Sequence, residues 1–177
     1  SYSAERAVYR GVQDASAAIR YFREHHEEFG IDYDNIYVWG SSAGSFIGLH
    51  LTYMEEDERP MSTYGSGGDP DLGCIDCEGN VFDHYSYPNA LVSCWGAIGD
   101  LNWINENNTI PLIMFHGSSD AVVPFNSGFP FTIDLFLPVV YGSNLINERL
   151  NTLNIQNDFY GEPNLPHEYW GTSNGTW

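Results

Sequence analysis

Residues 36–44 read Ile36-Tyr37-Val38-Trp39-Gly40-Ser41-Ser42-Ala43-Gly44. The first four residues are an apolar run without alternation, which is typical of a strand buried on both faces of a parallel sheet. A G-x-S-x-G motif follows directly, and a helical segment continues to about residue 54. On such a strand-to-helix turn, small residues lift the central serine hydroxyl out of the chain. The stretch therefore predicts an α/β fold with Ser42 as a nucleophile, the alternative being a tight turn without chemistry.

The helix that begins after this motif provides free N–H groups and the positive end of its dipole. Both stabilise negative charge on a carbonyl oxygen under attack. We therefore predict that the N–H of Ala43 is one oxyanion donor.

A serine hydroxyl becomes nucleophilic when a histidine, oriented by a carboxylate, takes its proton. In a fold of this kind the three residues follow the order serine, acid, histidine. Asp120 follows a strand-like run at residues 110–115 and so lies in a suitable loop. Asp100 follows the preceding strand-like run and is the alternative acid.

Only one of the six histidines, His167, follows Asp120 in the chain. It lies in a loop after the last predicted strand, so the order of the residues selects it as the base. The other histidines are expected to be structural or exposed to solvent, with a hydrogen-bonding role for the one at a strand end: His25, His26, His50, His84 and His116.

The rest of the chain supports a single α/β domain over residues 1–177. Apolar residues at steps of three and four predict a long helix over residues 4–29, which Gly30 ends. Apolar runs predict further strands at residues 90–97, 110–115 and 157–160. A short helix is predicted at residues 143–153, before the last of these strands. Alternating helices and strands are typical of an α/β sheet.

Residues 55–89 are rich in Gly, Asp, Ser, Pro and Glu and are too long for a simple connection. We interpret this segment as a lid-like excursion that borders the active site. It contains Cys74 and Cys77, a single C-x-x-C pair, whereas a zinc site needs further ligands. A local disulfide or two free thiols are expected, and no metal or cofactor.

The charge of the chain restricts its partners. There are 24 acidic residues and six basic ones, all arginine, so the net charge is −18. Such a surface repels phosphate backbones and anionic membranes, which argues against nucleic acid as a partner. No run approaches the ~18 apolar residues of a membrane helix. A small-molecule substrate is therefore expected.

Several motifs together resemble the bacterial carboxylesterases of the α/β-hydrolase superfamily. The similarity extends over nearly the whole chain and is weakest at residues 55–89. It is carried by the helix at residues 7–15, the Gly30-Ile31-Asp32 turn, the motif at residues 39–44, His116-Gly117-Ser118-Ser119-Asp120 with Val123-Pro124, and Pro166-His167-Glu168.

This resemblance implies an eight-stranded, mostly parallel sheet with the triad at its C-terminal edge. It also implies cleavage of small carboxylic esters through an acyl-enzyme, without a cofactor. Two alternatives share the fold: a catalytically silent binding or adhesion protein, and a hydrolase that cleaves amides or peptides. The presence of all three triad residues in order favours the esterase.

The chain differs from these esterases at its N-terminal end. They have about four strands before the first helix, and a loop after the third, often with His-Gly-Gly, provides the second oxyanion donor. The chain opens at Ser1 and has no such run. We therefore expect it to correspond to the C-terminal two-thirds of the fold. The other strands would be missing or would lie on a second chain that completes the sheet, unless the sheet closes differently.

Overall fold

The computed structural model describes residues 2–131 and 137–169. The first elements are α1 (Tyr2–Glu24), α2 (His26–Phe29), β1 (Tyr37–Ser41), α3 (Ala43–Tyr53), β2 (Ala90–Cys94) and β3 (Ala97–Ile98). They are followed by β4 (Leu112–Gly117), β5 (Ser127–Gly128), β6 (Val140–Gly142), α4 (Ser143–Thr152) and β7 (Asn157–Glu162). Short 3₁₀ turns lie at Glu56–Glu58, Met61–Thr63 and Leu101–Trp103.

The main sheet has four strands in the order β1-β2-β4-β7, and every neighbouring pair is parallel. The carboxyl ends of these strands therefore meet at one edge, where the loops after β1, β4 and β7 begin. A second, antiparallel sheet has the order β3-β6-β5, and its strand β3 follows the carboxyl end of β2 in the chain. The α/β architecture predicted from the sequence is confirmed.

The core forms between one face of the main sheet and the helices. Leu91, Leu112 and Met114 point to this side and are almost completely buried. They belong to one cluster with residues of α1, α3 and α4, including Val12, Ile19, Leu49, Ile146 and Leu150. At ~25 cal/mol per Å² of apolar area removed from water, this cluster is the main stabilising contribution of the fold.

The other face of the sheet is less covered. The expectation that β1 is buried on both faces is wrong, because Tyr37 is 63% exposed and Trp39 is 71% exposed. β1 lies at the edge of the sheet, and no described strand pairs with its outer side. Ile113 on β4 and Tyr160 on β7 are also exposed, so this face of the sheet is an apolar surface open to solvent.

The predicted strand over residues 90–97 is divided in two. Trp95 has a φ of +43°, which ends β2 and turns the chain out of the main sheet. The strand that resumes as β3 then pairs with β6. Smaller shifts affect the other predicted elements: the first helix breaks at His25, β4 runs to Gly117 and β7 runs to Glu162.

A polar face of α1 is buried as well as its apolar face. Its residues recur at steps of three and four and donate hydrogen bonds to residues 62–89, and the acceptors advance along this segment from the Arg6 end of α1 to the Arg23 end. The contacts include Arg6 to the Ser62 and Pro70 carbonyls, Tyr9 to Gly73, Gln13 to Leu72 and Cys74, Ser16 to Asp76, Arg20 to Glu78, and Arg23 to Tyr85 and Tyr87. Residues 62–89 therefore lie along α1, and within them Cys74 and Cys77 form a disulfide.

This packing predicts an unequal effect of two arginine substitutions on α1. Arg20 is 2% exposed, forms an ion pair with Asp76 and donates to the Glu78 carbonyl. Arg20→Ala leaves these acceptors without their partner, and we expect a loss of about 2–3 kcal/mol in the free energy of unfolding. Arg10→Ala, on the exposed side of the same helix, is expected to cost less than about 0.5 kcal/mol.

Urea denaturation measures both costs, and limited proteolysis reports cleavage between residues 76 and 80. Equal stabilities and equal cleavage rates of the two variants would contradict the role given to Arg20.

Candidate active site

The turn at Ser42 connects β1 to α3, whose backbones pack closely, and Ser42 itself has a strained backbone conformation. Ser42 has φ +52° and ψ −117°, a conformation that ordinary residues avoid. A Cβ atom on Gly40 would collide with the Gly44 backbone, so only glycine allows β1 and α3 to approach so closely. Ser42 N donates to the Cys94 carbonyl at 3.0 Å, which anchors the turn to β2.

The three residues predicted from chain order lie in direct contact. His167 Nε2 is 3.0 Å from Ser42 Oγ, and His167 Nδ1 is 2.7 Å from Asp120 Oδ2. The Asp120 side chain is fully buried and that of His167 is 15% exposed. A carboxylate acceptor at Nδ1 leaves the proton on this nitrogen, so Nε2 accepts from the serine hydroxyl.

The Asp120 carboxylate is held by several donors. Its Oδ1 accepts from the N–H groups of Val122 and Val123 at 2.8 and 2.9 Å. His116 Nε2 lies 3.2 Å from Oδ2, and its Nδ1 lies 2.8 Å from Ser143 Oγ. Burial alone would raise the pKa of Asp120, but hydrogen bonds from both histidines and the two N–H groups lower it to about 2. The carboxylate therefore stays ionised at neutral pH.

Contacts between the loops after β4 and β7 position the histidine. Ser118 N and Ser119 N donate to the carbonyls of Glu162 and Leu165 at 2.9 and 3.0 Å. Asn164 N donates to Ser118 Oγ, also at 2.9 Å. A Cβ atom on Gly117 would collide with the Leu165 backbone, so a glycine is needed where the loops cross.

The remaining candidates lie elsewhere. Asp100, the alternative acid, accepts from Asn102 N at 2.8 Å and caps a 3₁₀ turn. His25 lies beside Glu28, and His84 contacts Glu24 and Tyr33. His26 Nδ1 contacts the Arg23 carbonyl and His50 Nδ1 the Phe46 carbonyl.

Two further residues support the site. His116 contacts the Asp120 carboxylate. It lies four residues before Asp120, near the end of β4, and this position could have suggested the contact. Trp95 packs edge-on against the His167 ring, with ring centres 6.1 Å apart, and its Nε1 donates to Ser41 Oγ. Nothing in the sequence around Trp95 indicates this role, because the contact depends on the turn between β2 and β3.

The geometry suits attack by a serine on an electrophilic carbonyl. The hydroxyl, the base and the orienting carboxylate form one connected chain, and Ala43 begins α3 with an N–H that has no partner within the helix. The described residues contain no group of three or more His, Cys, Asp or Glu that could bind a metal ion. They also include no helix long and apolar enough to cross a membrane.

Three solved structures that are similar to this chain are longer than it. A native thermophilic esterase, Est2, from the Planctomycetes species Thermogutta terrifontis matches with a TM-score of 0.59 and 20% identity, over 93% of this chain and 56% of its own. MGS-M1, an α/β-hydrolase enzyme from a Medee basin deep-sea metagenome library, has a TM-score of 0.56, 22% identity and coverages of 93% and 55%. A truncated carbohydrate esterase from gut microbiota has a TM-score of 0.59, 19% identity and coverages of 88% and 60%.

The chain thus spans between 55% and 60% of the length of these three structures. At these identities the similarity establishes the α/β-hydrolase fold. The Thermogutta terrifontis esterase 2 has also been solved after phosphorylation by paraoxon. No curated protein matches the chain.

One family model matches the sequence itself. The BD-FAE model aligns with residues 2–94, which include α1, β1, the Ser42 turn, α3 and β2. This range is just over half of the 177 residues. The chain therefore belongs to the BD-FAE family and has the α/β-hydrolase fold.

Proposed function

We propose that this chain is the catalytic part of a serine carboxylesterase. The observation that carries the proposal is the contact chain from Ser42 Oγ through His167 to Asp120, with distances of 3.0 and 2.7 Å. The esterases among the structurally similar proteins support the same reaction class. A silent binding protein of this fold would have no need to keep Ser42 strained and in contact with a base.

The reaction begins when Ser42 Oγ attacks the ester carbonyl while His167 Nε2 takes the hydroxyl proton. The tetrahedral oxyanion accepts a hydrogen bond from the Ala43 N–H at the start of α3. His167 then gives the proton to the leaving alcohol, and an acyl group remains on Ser42. Water, activated by His167, releases the acid and restores the serine. The ionised Asp120 stabilises the charged imidazole in both halves.

Under this proposal, full activity requires a further polypeptide segment that completes the main sheet. Trp39 and Tyr37 are exposed on β1, whose outer edge has no partner among the described strands. A preceding segment or a second chain that pairs with β1 would cover this face and provide the second oxyanion donor. One missing donor lowers the rate by about 10²–10³, so the complete assembly should be much more active.

The first test is labelling with a fluorophosphonate, followed by mass mapping of the adduct. We expect the label on Ser42, because only an assembled base activates that hydroxyl. Ser42→Ala should lose the label and lower kcat by at least about 10⁴. Ser119→Ala removes an exposed hydroxyl in the loop that carries Asp120, and it should retain labelling and most of the activity.

An adduct on another residue, or equal activity of Ser42→Ala and the unchanged protein, would contradict the proposal. Turnover of an ester beside its matching anilide separates esterase from amidase activity.

A second prediction concerns Asp120 and pH. Because the pKa of Asp120 falls from 3.8 to about 2 on folding, the unfolded state binds the proton more tightly. The ionised carboxylate thus stabilises the fold by about 2 kcal/mol above pH ~4, and this is lost as the pH falls towards 2. The stability advantage of the unchanged protein over Asp120→Asn should shrink over this range.

Denaturant unfolding at several pH values measures this difference, with the exposed Asp34→Asn as the control. A difference between the unchanged protein and Asp120→Asn that stays constant with pH would rule out a lowered pKa. The same Asp120→Asn variant should lower kcat by about 10⁴.

A further inference from the structure

A groove runs from the nucleophile turn along one side of α3. Its volume is about 440 Å³, within the usual range for ligand sites. Ala43, Phe46, His50 and Met54 line it at helical spacing. At 1.5 Å per residue, this stripe is about 16 Å long. The groove therefore begins at the residue that offers the oxyanion N–H and continues well beyond the reacting atoms.

The walls of the groove are mainly apolar. The other lining residues come from α1, from residues 58–62, from β6, from the 3₁₀ turn at residues 101–103 and from the loop after β5: Val8, Pro60, Met61, Val140, Trp103 and Phe131. Part of the 55–89 excursion thus forms one wall. An extended apolar group would leave water when it enters, at ~25 cal/mol per Å² of buried area.

All charges on the described lining are negative. Glu5, Glu58 and Asp100 face the groove, and no arginine lines it among the described residues. Burial raises the pKa of Glu58 against the lowering effect of the hydrogen bond from Glu55 N, and the nearby charges of Asp57, Glu55 and Asp100 raise it further. This end of the groove thus already holds several carboxylates. A carboxylate on a ligand would meet their repulsion in an environment of low dielectric constant.

His50 provides a hydrogen-bond acceptor in the wall. Its side chain packs edge-on against Trp103, and its Nδ1 lies 2.7 Å from the Phe46 carbonyl, which assigns the proton to Nδ1. Burial lowers the pKa of His50 to about 4, so the ring is neutral and Nε2 is a free acceptor. No described group donates to Nε2. Nearby, the buried Ser62 Oγ also has no partner among the described residues.

The position of the groove assigns it to one half of the substrate. The leaving alcohol must lie against His167 Nε2, from which it receives its proton. His167 does not line the groove, whereas Ala43 does. The acyl half, whose carbonyl oxygen points to the Ala43 N–H, is therefore the half that extends along α3.

We propose that this groove binds the acyl group of the ester and selects an extended, uncharged, mainly apolar acyl group with a hydroxyl that donates to His50. The proposal rests on the proposed esterase function. Glu58 and Asp100 exclude acyl groups that end in a carboxylate.

The test compares four p-nitrophenyl esters with the complete protein: acetate, octanoate, 8-hydroxyoctanoate and the monoester of octanedioic acid. We expect kcat/KM to be at least about 10-fold higher for octanoate than for acetate, from the buried chain. The hydroxylated ester should gain a further ~2–10-fold, the range for one hydrogen bond. The carboxylated ester should fall at least about 10-fold below octanoate.

Two variants identify the residues. His50→Phe keeps the ring against Trp103 but has no acceptor, so the advantage of the hydroxylated ester should disappear while octanoate still exceeds acetate. Glu58→Gln should reduce the penalty on the carboxylated ester. Glu27→Gln makes the same charge change at an exposed position on α2 that does not line the groove, and it should leave the penalty unchanged. Thermal unfolding checks that each variant is folded.

The outcomes separate the two proposals. Ser42-dependent hydrolysis of acetate without preference for octanoate would overturn the groove and leave the esterase intact. If no ester is cleaved, the esterase fails, and calorimetry with Ser42→Ala decides on the groove. The Ser42→Ala variant should bind 1,8-octanediol at least about 10-fold more tightly than the free octanoate anion. Equal binding of these two ligands would refute the groove proposal.

Discussion

The parallel pairing of β4 with β7 is the constraint on which the site depends. Their register aligns His116 with Gly161 and Gly117 with Glu162, so the loops after both strands start side by side. One loop carries Asp120 and the other His167, 47 residues apart in sequence. Hydrogen bonds between the loops fix their separation, and β1, two strands from β4, presents Ser42, the proposed nucleophile, at the same edge. A shift of β7 by one residue would move its side chains to the opposite face and misplace the histidine.

The arginines explain how so acidic a chain holds its longest irregular segment. Of the six basic residues, Arg6, Arg20, Arg23 and Arg59 are buried. Three of them lie on α1 and bind backbone carbonyls of residues 62–89, while Arg59 pairs with Asp71 and lies over the Tyr64 ring. The guanidinium group suits this task, since its several N–H donors reach carbonyls that no strand pairs with. The cations are thus used inside the fold, which leaves the surface acidic.

The sequence was most informative where a function depends on local geometry or on chain order. The G-x-S-x-G turn requires glycines at fixed positions, so nine residues were enough to predict Ser42 as a nucleophile. The chain-order rule then selected Asp120 and His167, and the structure places His167 in contact with both Ser42 and Asp120. It was least informative where long-range packing decides. The polar stripe from Arg6 to Arg23 looks like an exposed helix face until residues 62–89 are placed on it. The break at Trp95 and the exposure of Trp39 likewise depend on neighbours outside each segment.

Three histidines show how the surroundings assign different chemistry to one residue type. His167 lies against the ionised Asp120, so under the proposed mechanism the positive charge that it would gain from the serine proton is stabilised by a partner already in place. His116 lies against the same carboxylate but is fully buried, with Ser143 Oγ and the Val123 carbonyl as its other neighbours, so it helps to orient Asp120. His50 has a carbonyl and an aromatic ring as neighbours, and without a carboxylate in contact its burial keeps it neutral. Under the two proposals, the neutral His50 in the groove therefore serves binding, while His167, which does not line the groove, serves proton transfer. The two histidines would then not compete for the serine proton.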